Sequence, residues 1–305
     1  MSSKGNFTFI HLAKVLFAVV VWGASFIATK IALQDVSPVT VVWLRFAIGV
    51  LVIGIAVFVR GQFLWPSWKD IAYFAILGFI GITYHQWLQS TGLVTAQAST
   101  TAWIVSTTPI FIAILGWIVL KEKMNLRQVF GIVLASVGVI LVVSEGEWGD
   151  LNLVNLSNSG NQLIMLSAPN WAIFSVLSRR GLMEHPAMRM MFFVMSFGWL
   201  FTAIPFIAGS GFSEIEQLSA NGWISILFLG IACSGLAYIF WYDGLQALQV
   251  SKVGAMLYIE PVVAVIIAAI ILGETIHVTS LIGGLGIFVG VYSVERFGKL
   301  VHVVD

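Results

Sequence analysis

Ten stretches of this chain are each apolar over a length that crosses a bilayer, and this excludes most folds at once. A hydrocarbon core needs about 20 mostly apolar residues per helix. Residues 12–33, 38–59, 70–90, 97–120, 126–144, 161–180, 187–208, 222–243, 252–272 and 278–296 meet that length. A membrane barrel needs alternating polar and apolar residues, and these runs are continuous. Only 10% of the 305 residues are charged and 59% are hydrophobic, whereas soluble domains carry about 25% charged residues. The expected fold class is all-α and integral to the membrane. Ten transmembrane helices form two inverted five-helix repeats.

Lys4 and Lys14 precede the first apolar run, as in a signal peptide. That run continues past Trp22 to Leu33, beyond the roughly 7–15 residues of a signal core, so it reads as a retained first span. Orientation follows the lysines and arginines. With a cytoplasmic N-terminus, all of the 15 except Lys30 and Arg45 fall at cytoplasmic ends or loops. Asp35, Glu145, Glu147, Asp150, Glu214, Glu216 and Glu274 fall outside. Both termini are therefore expected in the cytoplasm. The longest loop, near 145–160, separates a first unit, 1–150, from a second, 151–305.

The two units resemble each other. At an offset of 152 residues, 92–142 meets 244–294. Gly92 meets Gly244, Pro109 meets Pro261, Glu122 meets Glu274, Gly131 meets Gly283 and Gly138 meets Gly290. At an offset of 149, Trp22 meets Trp171 and Lys30 meets Arg179. Five spans per unit is an odd number, so the second copy enters the membrane upside down. Inverted repeats suit alternating access, because exchanging the conformations of two equivalent halves turns an inward-open carrier outward.

No motif of soluble chemistry is present. A Walker loop, a zinc spacing and a Gly-x-Ser-x-Gly elbow are all missing, and the five histidines are scattered. Neither a cofactor nor a metal is expected. The net charge of +1 suggests no nucleic-acid partner. Cys233 stands alone and forms no disulfide within the chain.

Candidate solute contacts are polar and aromatic residues on helix faces. Trp22, Ser25 and Thr29 share a face of the first helix, matched by Ser167, Trp171, Phe174 and Ser178 on the sixth. Tyr84 and Trp87 share a face of the third, Trp103 and Thr107 of the fourth, and Tyr238 and Trp241 of the eighth. Tyr258 and Glu260 flank Ile259 and diverge by about 200° on a helix, so one of them faces the cavity. Serine and threonine also serve helix packing. Aromatic walls with few charges suit an amphipathic organic solute held by stacking and cation–π contacts.

A charge near the midplane costs about 2.5–3.5 kcal/mol on insertion scales and marks a functional candidate. Glu260 is the first choice for solute or proton handling, with His85 as a second proton group. The structural alternative for Glu260 is an ion pair, for example with Arg45. Lys30 is expected to snorkel to the outer interface. Pro109 and Pro261 each free a backbone carbonyl within a span and are candidate hinges. The glycines of the fifth and tenth helices make small-residue faces suited to packing between the halves.

These residues together resemble the EamA-type members of the drug/metabolite transporter superfamily. The matching features are Trp22-Gly23-Ala24-Ser25-Phe26, Arg45-Phe46, Pro109 with Leu120-Lys121-Glu122, Glu260-Pro261, Leu272-Gly273-Glu274 and the Gly283/Gly290 pair. The resemblance spans nearly the whole chain as two EamA units. It implies a ten-helix secondary transporter with helices 1, 3, 4, 6, 8 and 9 around a central cavity and 5 and 10 to the side. Lys121-Glu122 departs from the usual Gly-Glu, and Arg45 has no clear counterpart in the second half.

The expected function is export of small organic metabolites, amino acids or related compounds, by alternating access. The protein would be a multi-pass monomer in the cytoplasmic membrane, with the solute, the lipid bilayer and protons as partners. An uptake carrier is the alternative within the class. An integral-membrane enzyme acting on lipid-linked substrates, or a sensor, lies outside it. The enzyme would need carboxylate or histidine clusters at one membrane face, and the repeat symmetry argues against the sensor.

Overall fold

The computed structural model describes residues 2–120, 125–143, 158–248, 253 and 256–297. Lys121, Glu122, Lys123, Glu145, Glu147, Trp148, Asp150, Lys252 and Lys299 lie outside these residues. The ten helices are α1 (Ser2–Ala32), α2 (Pro38–Val59), α3 (Trp68–Gly92), α4 (Ala98–Val105 continued by Thr108–Leu120), α5 (Leu126–Val143), α6 (Ser159–Glu184), α7 (Ala187–Ala208), α8 (Ala220–Ala247), α9 (Ile259–Leu272) and α10 (Val278–Phe297). Helices α1–α5, α7 and α8 contain spans long and apolar enough to cross a membrane; α9 and α10 are shorter apolar helices. Helix α6 is 26 residues long and more polar, with Asn161, Ser167 and Asn170 buried in it.

Helix starts follow local capping chemistry. Ser37 accepts the Thr40 N–H ahead of α2, with Pro38 in the first turn. Ser67 and Asp70 form a reciprocal capping box at α3. Asn158 caps α6 and Ser219 caps α8. Gly273 ends α9 at φ 66°, a left-handed conformation that glycine adopts without steric cost.

The packing obeys a two-fold relation between the halves. Helix α1 packs on α8 and α9, and its counterpart α6 packs on α3 and α4. Helix α2 packs on α8, and α7 on α3. The pairs α2–α7, α4–α9 and α5–α10 each join equivalent helices. The α5–α10 contact is isologous. A Cβ added to Gly131 would lie 2.6 Å from the Gly290 carbonyl oxygen, and one on Gly290 would lie 2.5 Å from that of Gly131. Gly138 and Gly283 stand in the same reciprocal relation at 2.5 Å. The later glycine of α5 meets the earlier glycine of α10, so the helices run antiparallel. A self-complementary antiparallel contact is what a two-fold axis across the helices requires.

These contacts define two arcs, α1–α8–α9 and α6–α3–α4, and the largest core cluster gathers α2, α3 and α7 with Phe174 of α6 and Tyr238 and Ile239 of α8. Phe46, Phe74, Leu77, Ile82, Met190 and Met191 are fully buried there. Leu51, Ile55, Ile76, Ile204 and Ile207 are more than half exposed on the outer surface, as side chains that meet lipid would be.

Candidate functional site

Helices α3 and α8 widen at matching places. Phe79–Tyr84 and Phe228–Leu236 are π-helical, overlapping at the 152-residue offset. A π-bulge loosens the regular backbone ladder and often marks a functional site. The carbonyls it releases need donors, and the equivalent helices of the two halves supply them. Trp22 of α1 donates its indole N–H to the Cys233 carbonyl at 3.0 Å. Asn170 of α6 donates its amide to the Ile80 carbonyl at 2.9 Å. Trp22 and Trp171 follow from the repeat; the bulges do not, because the sequence there stays uniformly apolar.

Around these joints lies a polar centre in an aromatic wall. Trp22 meets Tyr238 at 5.5 Å and Trp241 at 5.2 Å between ring centroids. Trp171 meets His85 at 4.7 Å and Phe174 at 4.9 Å. Trp22, Trp171, Tyr238 and Tyr242 all belong to or pack on one cluster. Ser25 is half-buried one turn from Trp22 and donates to the Trp22 carbonyl. Thr29 is buried one turn further along.

Arg45 is buried in this centre and donates to Ser234 Oγ at 3.1 Å and Gln86 Oε1 at 3.0 Å. Its plane lies over Phe46, 5.2 Å from the ring centroid. The suggested Arg45–Glu260 ion pair does not form; Arg45 uses neutral partners. Glu260 is half-buried, and among the described residues its carboxylate has no hydrogen-bond or ion-pair partner. It lies near Cys233 and Tyr238 of α8, on the side of the aromatic wall. The Glu260 carbonyl lies against Gly23 of α1, 2.6 Å from where a Cβ would sit. His85 is buried beside Ser167, with Nδ1 unpartnered.

The other candidates fall elsewhere. Tyr258 diverges from Glu260 as the spacing requires and meets Phe288 of α10 at 5.6 Å. Trp103 meets the same Phe288 at 5.1 Å and lies over Gly284. Both belong to a cluster between α4, α9 and α10, away from the Trp22–Tyr238 wall. Tyr84 and Trp87 are about 40% exposed and line a lateral apolar cavity of about 210 Å³ between α2, α3 and α7. Tyr84 and Trp87 do share a helical face, stacked at 6.1 Å between ring centroids, and it meets this lateral cavity. The Thr107 hydroxyl is used at home, donating to the Ile104 carbonyl at 2.6 Å.

Both prolines sit at breaks between helical segments rather than inside continuous helices. Helix α4 stops at Val105 and resumes at Thr108, one residue before Pro109. The hydroxyls of Ser106, Thr107 and Thr108 return to the carbonyls of Trp103, Ile104 and Val105. Thr108 thereby fills the carbonyl that Pro109 cannot reach. In the other half, Pro261 lies in the first turn of α9, and the Glu260 N–H fills the Leu257 carbonyl at 3.0 Å. Side chains perform in α4 what a tighter backbone turn performs in α9.

Lys30 has partners at the end of α1. It donates to the Ala96 carbonyl at 2.7 Å and lies 3.4 Å from Glu274. Among the described residues the acidic and histidine side chains close enough to hold a metal are Asp70, Glu184 and His185. Their bonds to each other and to Arg180 and Arg189 already use them: His185 Nε2 meets Asp70 at 3.2 Å, and Arg189 donates to His185 Nδ1 at 3.0 Å. With Nδ1 accepting, Nε2 carries the proton and cannot ligate an ion.

The EamA-like transporter family matches residues 10–144 and 158–295. An "uncharacterized transporter" of Archaeoglobus fulgidus is 27% identical over 92% of this chain and 96% of its own length. A "probable amino-acid metabolite efflux pump" of Salmonella typhimurium is 26% identical over 98% of this chain and 96% of its own length. A solved crystal structure at 20% identity shares the fold, with a TM-score of 0.65 over 93% of this chain and 98% of that one. The two matched units, the ten helices and the antiparallel glycine contact between α5 and α10 lead to one assignment: this multi-pass membrane protein belongs to the EamA-like transporter family.

Proposed function

We propose that the protein exports small organic metabolites, amino acids or related compounds, by alternating access across the cytoplasmic membrane. The observation that carries this reading is the half-buried, unpaired Glu260 beside the Trp22–Tyr238–Trp241 wall. An aromatic wall with one free carboxylate favours a solute with an apolar body and a cationic group. Buried Arg45, with only neutral partners, adds a positive counterpart to the same region.

Trp22, Ser25, Trp171, Tyr238, Trp241 and Glu260 are the proposed solute contacts. Glu260 and His85 are the proposed proton carriers, and the breaks at Pro109 and Pro261 are the proposed hinges. The units 1–150 and 151–305 each contribute helices to the two moving arcs, with both termini cytoplasmic and a single copy of the chain sufficient. Similarity to the Salmonella typhimurium efflux pump supports the outward direction.

The test is a screen of amino acids, amines and nucleosides with purified protein in liposomes, with and without a proton gradient. Gradient-dependent movement of one of these classes is the expected result. No movement of any class under either condition would sink the reading.

A further inference from the structure

We infer that Glu274 is the latch of an outer gate, and that its carboxylate leaves the start of α4 before the solute site opens to the outside. This rests on the alternating-access reading above. Glu274 follows the left-handed Gly273 at the end of α9. Its Oε1 accepts the Ala98 N–H at 2.7 Å, and its Oε2 accepts the Ser99 N–H at 3.0 Å and the Ser99 hydroxyl at 2.6 Å. A carboxylate on the first free N–H groups of a helix is a strong, charge-assisted contact. Lys30 of α1 adds its ammonium to Glu274 and to the Ala96 carbonyl.

The position of these bonds makes them a gate rather than ordinary packing. Helices α1 and α9 belong to one arc of the molecule and α4 to the other. Every bond from Glu274 to Ala98 and Ser99, and from Lys30 to Ala96, crosses between the arcs. Rocking one arc against the other at this end has to break them together. Beside the latch the cavity lined by Ser99, Trp103, Glu274 and Leu281 measures about 10 Å³, at the lower limit of the 10–15 Å³ that holds one water, so the end of α9 is packed closely on the start of α4. At the other face Arg179, the repeat counterpart of Lys30, is exposed. The Glu274 bonds hold the two arcs together where α9 ends and α4 begins.

The test reads accessibility directly. A Ser25→Cys reporter is placed in a Cys233→Ala background of the full chain, in oriented membrane vesicles. Labelling by a membrane-impermeant maleimide added outside is timed. Glu274→Ala is expected to raise the outside rate by about tenfold or more, given the weight of charge-assisted bonds. Glu274→Gln keeps an acceptor oxygen and is expected to fall between. Ser99→Ala removes one bond, gives a smaller rise, and serves if Glu274→Ala does not fold. Outside rates unchanged in both Glu274→Gln and Ser99→Ala would overturn the latch. The labelling needs no solute, so a failed transport screen with responsive labelling would sink the export reading and leave the latch standing.

Discussion

Gly138 and Gly283 face each other across the two halves, each 2.5 Å in Cβ distance from the other's carbonyl oxygen. They occupy non-equivalent places in the repeat; the equivalent of Gly138 is Gly290, which meets Gly131 in turn. The two contacts exchange under one two-fold axis, so α5 and α10 form a symmetric seam between the two halves.

Gly283→Ala should open this seam. The added methyl meets backbone, which cannot step aside as a flexible side chain can, so a loss of about 1–3 kcal/mol is expected. Gly286→Ala is the control, because its Cβ would sit 3.7 Å from its neighbours. Thermal unfolding in detergent separates them; equal midpoints would contradict the seam.

Glu260→Gln should abolish transport or remove its dependence on pH while expression holds. The substitution keeps the size of the side chain and removes its charge and its proton. Transport that keeps the same rate and pH profile would end the functional role of Glu260.

Trp22→Ala and Trp171→Ala should each weaken solute affinity by roughly thirtyfold, the size of a desolvated cation–π contact of about 2 kcal/mol. Trp87→Ala, on the lateral cavity, should leave affinity alone. Binding measured by titration with the transported solute decides this, and a larger effect at Trp87 than at Trp22 would relocate the site.

Asp243 joins Lys14 at 2.8 Å and Arg60 at 2.7 Å, tying α1, the end of α2 and α8 together. Both cations are about a third exposed, so solvent screens the pairs. Asp243→Asn should cost about 1 kcal/mol or less at low salt, with the difference shrinking in high salt. A loss insensitive to salt would show that packing, not charge, is what Asp243 supplies.

Glu214, in the short helix Gly211–Ile215, sets an acid limit on stability. Burial works against its charge, but hydrogen bonds from Ser210, Thr40 and Ser37 outweigh burial and hold its carboxyl down at about 2 from an ordinary 4.5. The folded form therefore binds its proton less readily than the unfolded form. The stabilisation is complete above pH 4.5 and is lost as pH falls toward 2. Unfolding midpoints across that window should fall in the wild type and fall less in Glu214→Gln.

Much of the fold was legible because a bilayer leaves a chain few choices. Apolar length marked the helices, and the shared Pro, Glu and Gly positions marked the repeat. The site was only partly legible. Trp22, Trp171, Tyr238 and Trp241, which line the candidate wall, stand out because aromatic residues recur at helical spacing. Tyr84 and Trp87 carried the same signal and line the lateral cavity instead, because periodicity alone does not record which neighbour a helix face will meet.

The sequence by itself determined the ten helices, their division into two units, and the glycines and prolines that the repeat doubles, because lipid excludes any span with unsatisfied backbone. Only the tertiary structure decided which partners complete that backbone. Trp22 and Asn170 fill carbonyls released by bulges in other helices. Glu274 closes the start of a helix 175 residues away. Those bonds join segments distant in the chain, and no local pattern of residues records where another helix will come to rest.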